Sequence, residues 1–427
     1  MKATGAQKAK ATPGGTLPNA PVVDKKGGSV DATRPTRSLS VSPDTQTSYQ
    51  DGTTLSRQKK TVAVDMREHN GGGAEIDGAV AKNLWRELGG RSLLDAAANA
   101  QHVRNLEKAA GIIGVIEKLP GRLGSVTSFR PQDAFLLYEH CFPNPDEQEP
   151  VADIKARLKT YDKGDEADGA NFHAHAFTDK DGDVIAYAQG STVPSEEGLF
   201  FFWQYGCVAD ADYMKSAYGK DSNPRQQGVM NTIHAVNAAT LMTAAEQHKK
   251  PALGMMWESE PRGLGDDAAS IQFTDKRLSI HNRAGGRVMM GKTADGELVN
   301  LHLQPRLTAD SEPIALHVMF RPLTYEEGDE FKEGALDKKA AEAMMAAWVG
   351  NFEREGFDKG DVKQAADEIA QRFARCESIV LLPADQVPDA VTLAKTDPIL
   401  EKQVLDMYGV KDLTQARAFY DKAMASA

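Results

Sequence analysis

The chain has 427 residues, of which 41% are hydrophobic and 26% charged, with a net charge of -11. These proportions exclude a wholly disordered chain, and no run approaches the ~20 apolar residues of a membrane span. Three cysteines, Cys141, Cys207 and Cys376, in no zinc-like spacing, exclude a disulfide framework and lead us to expect a reducing, cytoplasmic setting.

The charge is uneven. The first 70 residues hold eleven Lys and Arg against six Asp and Glu, which is +5 and leaves -16 on the rest. An acidic body argues against broad nucleic-acid binding and otherwise serves solubility. Residues 1–60 contain 26 Gly, Pro, Ser or Thr and one aromatic residue, Tyr49. Such a segment buries too little apolar surface to offset its ordering entropy and reads as a disordered tail, with no apolar core of a secretory signal at its start. It is equally a tether or a delivery arm.

Residues 61–122 read as a helical N-terminal extension. Val80, Leu84, Trp85 and Leu88, then Leu94, Ala97, Val103, Leu106, Ala110, Ile113 and Ile116, recur at helical spacing from Ala74 to Leu119. Pro120-Gly121 closes it. Residues 123–322 then change to mixed α/β texture. Val126 to Phe129 reads as a strand, and Pro131 to Phe142 and Glu149 to Tyr161 as helices. Phe172 to Phe177 and Val184 to Thr192 form a hairpin across Asp181-Gly182. Leu199 to Val208 (LFFFWQYGCV) is a buried central strand. A helix opens at Pro224-Arg225-Gln226-Gln227-Gly228 and runs to about His248, followed by a strand at Ala252 to Trp257. A helix spans Asp267 to Arg283, Gly285-Gly286 ends it, and strands follow at Arg287 to Met290 and Ile314 to Phe320. Residues 323–427 read as a helical C-terminal extension, with amphipathic helices at Leu336 to Glu353 and Asp361 to Arg375, a short strand at Ser378 to Pro383, and closing helices over Leu400 to Ala427. The fold class is therefore α/β (α+β).

The order β-α-α-β-β-β-α-β-α-β-β over residues 125–322 resembles the GNAT acyl-CoA N-acyltransferase superfamily. Arg225-Gln226-Gln227-Gly228 resembles its Arg/Gln-x-x-Gly-x-Gly/Ala signature, which follows a central strand and opens a helix. A helix start offers unpaired N–H groups and a positive dipole end to a pyrophosphate. Met230 stands where the signature has Gly or Ala. Ile280 to Gly286 resembles the family's Leu-Tyr-x-Lys-x-Gly-Phe pattern, with His281 at the tyrosine position. Thr274 falls where the family often has a CoA-contacting Asn. The resemblance implies a mostly antiparallel sheet, with acetyl-CoA as co-substrate held by Val208, Arg225, Gln226, Gly228, Val229, Met230, Asn231 and Thr274. It also implies that the Leu199 to Val208 strand splays from its neighbour to admit pantetheine.

Acyl transfer to an amine needs a base for the ammonium, donors for the oxyanion and, least stringently, an acid for the thiolate. Glu258, at the end of the Ala252 to Trp257 strand, is the expected base, with Glu260 beside it, and His281 the expected acid. Either glutamate read blandly is a solvated loop acid, and His281 a packed helix-end histidine. His173 and His175 form an H-x-H without a visible third ligand, so no metal is expected. Cys207 reads as core, as do Trp203 and Tyr205, which otherwise line the acceptor cleft. The expected function is acyl-CoA-dependent N-acyltransfer, the acyl group acetyl, to an amine by direct attack. The alternative is a GNAT-fold scaffold of weak or no activity, serving as an interaction or secreted effector protein.

Overall fold

The computed structural model describes residues 75–76, 96–119, 131–143, 148–161, 166–306, 311–323 and 335–426. The tail 1–60 and the strand expected at Val126 to Phe129 lie outside them. Among the described residues one open, mostly antiparallel sheet carries the architecture, with helices on both faces.

β1 (Glu75–Ile76) pairs with β2 (Ile113–Lys118), which follows α1 (Ala96–Ile112). The helix expected to continue through Leu119 therefore stops at Ile112. Ile113, Val115 and Ile116 are β-branched, and pairing with β3 recruits them into the sheet. Gly114 sits at a register shift there, and a Cβ on it would lie 2.4 Å from the Asp179 carbonyl oxygen. α2 (Pro131–Cys141) and α3 (Val151–Thr160) fall close to their expected bounds. β3 (Asn171–Asp179), β4 (Val184–Pro194) and β5 (Leu199–Val208) form an antiparallel meander. Between β5 and the next long helix lie α4 (Ala211–Tyr218), capped by Asp210, and a 3-10 turn at Pro224–Gln227.

α5 (Val229–His248) returns the chain to β6 (Ala252–Ser259), which runs parallel to β5, an arrangement that needs such a crossover. α6 (Ala268–Arg283) starts on a capping box of Asp267 and Ser270. β7 (Arg287–Lys292) and β8 (Leu298–Asn300) form a hairpin, and β9 (His317–Pro322) inserts between β6 and β7. The last strand begins three residues later than expected, because Ile314 makes only an isolated bridge with Gln304.

The C-terminal segment is not purely helical. β10 (Ala335–Leu336) and β11 (Ser378–Leu382) extend the sheet beyond β7, around α7 (Lys338–Arg354) and α8 (Lys359–Ala374). α9 (Ala390–Leu393), α10 (Pro398–Tyr408) and α11 (Leu413–Ala425) close the chain. Strand alternation divides the core. Met256, Val318, Phe320, Met289 and Ile379 face α7 and α8, whereas Met255, Trp257, Met319 and Val288 join the cluster that holds α5, α6 and α10.

Trp348 of α7 is fully buried, with Phe202 at 4.8 Å between ring centroids. Trp348→Ala is expected to cost roughly 3–5 kcal/mol, read as a lower urea midpoint at unchanged slope.

Candidate functional site

A bulge shapes the site. On β5, Tyr205 faces Gln189 and Trp203 faces Gly190, which leaves Gln204 as the extra residue. A bulge bends its strand and raises its twist. Pairing between β5 and β6 ends at Phe202 with Met256, although both strands continue. The two strands part from there, and the opening leads into a cleft of about 2050 Å³.

One side of the opening is aromatic. Trp203, Trp257 and His234 pack with ring centroids 4.6 to 5.8 Å apart, and His281 lies 5.4 Å from Trp257. The other side is polar. Gln204, swung out by the bulge, donates to Glu355 at the end of α7, which also accepts from Asn351. Arg157 of α3 pairs with Glu149 and stands 3.7 Å from Glu355. Gln189 donates to Glu149 at 2.9 Å and accepts from the Tyr187 hydroxyl at 2.5 Å. Glu258 accepts from Nε2 of fully buried His302 at 2.6 Å, and that ring stacks on Trp348 at 4.8 Å.

Burial pushes the Glu355 carboxyl up to about 7; Glu258's charge adds to the rise, while Arg157 and the Gln204 and Asn351 bonds oppose it. A carboxyl so placed exchanges protons near neutrality, as a general base requires. Burial likewise raises Tyr205 to about 12.

The structure brings most of the expected residues to this cleft. Val208, Arg225, Gln226, Gly228, Met230, Asn231, Glu258 and His281 all border it. Their roles differ in detail. His281 was expected to titrate near neutrality, but burial, with Arg277 nearby, drives it down to about 3, so its imidazole is neutral at pH 7. Glu260 is tied to Arg277. The Val208 carbonyl already accepts from Arg225 Nε at 2.8 Å, and Arg225 also faces Asp210 at 3.4 Å.

Gly228 has φ +81, and a Cβ on it would fall 2.1 Å from the Asn105 carbonyl oxygen of α1. Its lack of a side chain therefore serves a left-handed turn and the seating of α1. The Val229 side chain is in the core. Thr274 is buried, with its hydroxyl on the Ile271 carbonyl, and is not brought to the cleft.

Glu355, Arg157, Glu149 and His302 were missed, because no local pattern joins residues so far apart in sequence. Gln204 left a signal, as the one amide in an otherwise apolar strand (LFFFWQYGCV). His173 and His175 are buried in β3 with rings 6.5 Å apart. Among the described residues no group of three His, Cys, Asp or Glu is placed to hold a metal ion, and no helix is long and apolar enough to cross a membrane.

Buried neutral histidines predict acid lability. Burial lowers His175 and His317 to about 3. The unfolded chain therefore binds more protons between the ordinary value near 6.5 and about 3. Their stabilisation is complete above pH 6.5 and is lost as pH falls through that window, by up to ~1.4 kcal/mol per histidine per pH unit. Glu355 has the opposite sign, since its folded-state carboxyl holds a proton that the unfolded one has released between about 4.5 and 7. Urea unfolding from pH 7 to 4 should show a net decline that steepens below pH 5; a midpoint that rises on acidification would refute it.

Comparison with protein families, with curated proteins and with solved structures finds no match to this chain.

Proposed function

We propose that the protein is an acyl-CoA-dependent N-acyltransferase of GNAT type, acting on an amine acceptor with acetyl-CoA as donor. The observation that carries this reading is the parallel β5–β6 pair that parts after Phe202 and Met256, with the Arg225 to Asn231 turn and a buried carboxyl of near-neutral pKa at the same cleft. Element order supports it. From β2 the chain runs β2-α2-α3-β3-β4-β5-α5-β6-α6-β7-β9, the family's order with α4 and β8 added.

The donor would supply a thioester activated for attack by an amine. Arg225 and the first-turn N–H groups of α5 fit its pyrophosphate. Backbone groups of β5 beyond Phe202, released from β6, fit amides laid along the strand. Glu355 takes the proton that the attacking ammonium must lose, directly or through water. Glu258, held by His302, keeps the pocket attractive to a cation and sustains the raised Glu355 pKa. His281, being neutral, donates an N–H without supplying a strong acid, and a thiol near pKa 8.5 leaves adequately without one.

Calorimetric titration with acetyl-CoA tests the reading. Micromolar binding that weakens at least tenfold in Arg225→Ala is expected, from the loss of a charge-assisted contact. Arg225 is half exposed, so the variant should keep the wild-type melting curve. Absence of binding by the folded wild type would favour the catalytically inactive scaffold, a reading that Asp210 beside Arg225 already encourages by sharing its charge.

A further inference from the structure

Trp257 is the first residue of β6 beyond the last β5–β6 pair, Phe202 with Met256. β9 still pairs with it through Met319, so its strand is held on one side and open on the other. The residue borders the cleft although only 3% of it is exposed. Its indole is clamped. Trp203, His234 and His281 surround the ring at centroid distances of 5.8, 5.7 and 5.4 Å. Gly286 supplies the floor, since a Cβ there would lie 2.7 Å from both Cζ2 and Cη2 of the indole.

Nε1, beside that ring edge, is buried and has no hydrogen-bond partner among the described residues. An indole nitrogen can only donate, and a buried donor without an acceptor bears the full cost of its lost water. The other described tryptophans do not share this position. Trp203 gives its N–H to the Tyr205 carbonyl of its own strand at 2.8 Å. Trp348 also has an unpartnered N–H, but it lies in the core cluster under α7 and α8, on the opposite face of the sheet. Trp257 thus sets an unspent donor against the cleft wall where β5 and β6 part. Its missing partner is an acceptor atom that arrives with a ligand. An ammonium offers no lone pair and a sulfur only a weak one, whereas a carbonyl oxygen offers two.

We propose that Trp257 is a catalytic residue whose Nε1–H donates to the thioester carbonyl oxygen and holds the oxyanion that forms there. The assignment rests on the acyltransferase reading, which lays the donor along β5 and brings its thioester into the gap beside Trp257. The amine nitrogen bonds to the carbonyl carbon, and the C=O π pair moves onto the oxygen. Trp257 meets that new charge with a donor already in place. The pair then returns, the C–S bond breaks and the sulfur leaves with its electrons. Of the two protons that the ammonium loses, one passes to Glu355 and then to water, and the other ends on the sulfur. The indole keeps its own proton throughout.

The full chain, with its four tryptophans labelled with nitrogen-15, tests this by NMR. The indole N–H resonances are assigned from Trp85→Phe, Trp203→Phe and Trp348→Phe, the fourth being Trp257, so the reading does not need a Trp257 variant. Acetyl-CoA should move the Trp257 resonance downfield, as a new hydrogen bond does. S-ethyl-CoA, with a methylene in place of the carbonyl, should not. Trp257→Phe, which keeps a ring on Gly286 and removes the N–H, should lower kcat/KM for amine acetylation by about 10²–10³-fold and bind S-ethyl-CoA as wild type does. A Trp257 resonance that ignores acetyl-CoA, or answers both ligands equally, would overturn the assignment and leave the acyltransferase reading standing. A folded Trp257→Phe protein with wild-type kcat/KM would do the same. No binding of either ligand would overturn both.

Discussion

Glu355→Gln is expected to lower kcat/KM for amine acylation by about 10²–10⁴-fold, the range of a positioned general base. The substitution keeps an oxygen to accept from Gln204 and Asn351 and removes only the basic site. The pH profile carries the stronger test. A base must be deprotonated to act, so wild-type activity should rise as pH passes through about 7, the value to which burial pushes this carboxyl. In the glutamine variant that limb should vanish. Glu258→Gln should move the same limb to lower pH, because Glu258's charge contributes to the rise. An unchanged limb in Glu355→Gln would assign the base elsewhere.

Gly228→Ala should be the most damaging single change at the turn proposed to hold the pyrophosphate. The residue has φ +81, which costs an L side chain roughly 1–2 kcal/mol. The new Cβ would lie 2.1 Å from the oxygen and 2.6 Å from the carbon of the Asn105 carbonyl. Backbone must therefore move, and a total near ~3–5 kcal/mol is expected. Because α1 rests on this turn, acetyl-CoA affinity should fall with stability. Arg225→Ala, in contrast, should lose affinity alone. A Gly228→Ala protein with wild-type melting temperature and affinity would refute the close approach of α1.

Much of the fold was legible because the signals were local. LFFFWQYGCV reads as a mostly buried strand, and β5 spans it end to end. Asp181-Gly182 turns the β3–β4 hairpin, with Gly182 at φ +88. Asp267 caps α6 one residue ahead of its first turn. Ile113 to Leu119 misled because an apolar run rich in β-branched residues suits either a helix or a strand. The neighbouring β3 decided between them by offering hydrogen bonds. The placement of β9 between β6 and β7 depended on long-range pairing with no local mark.

The site divides along the same line. The sequence by itself determined the elements around the cleft, the Gly228 turn that opens α5, and the placing of Glu258 at a strand end. Those follow from periodicity, capping and turn chemistry, which act over a few residues. Only the tertiary structure decided which carboxyl is basic. Glu355 lies about 100 residues beyond Glu258 in the chain and becomes a candidate through burial beside Gln204, Arg157 and Glu258. It also decided that His281 is neutral and that Thr274 turns inward. A proton affinity is set by desolvation and by charges a few ångströms away in space, and that neighbourhood exists only after the sheet has closed around it.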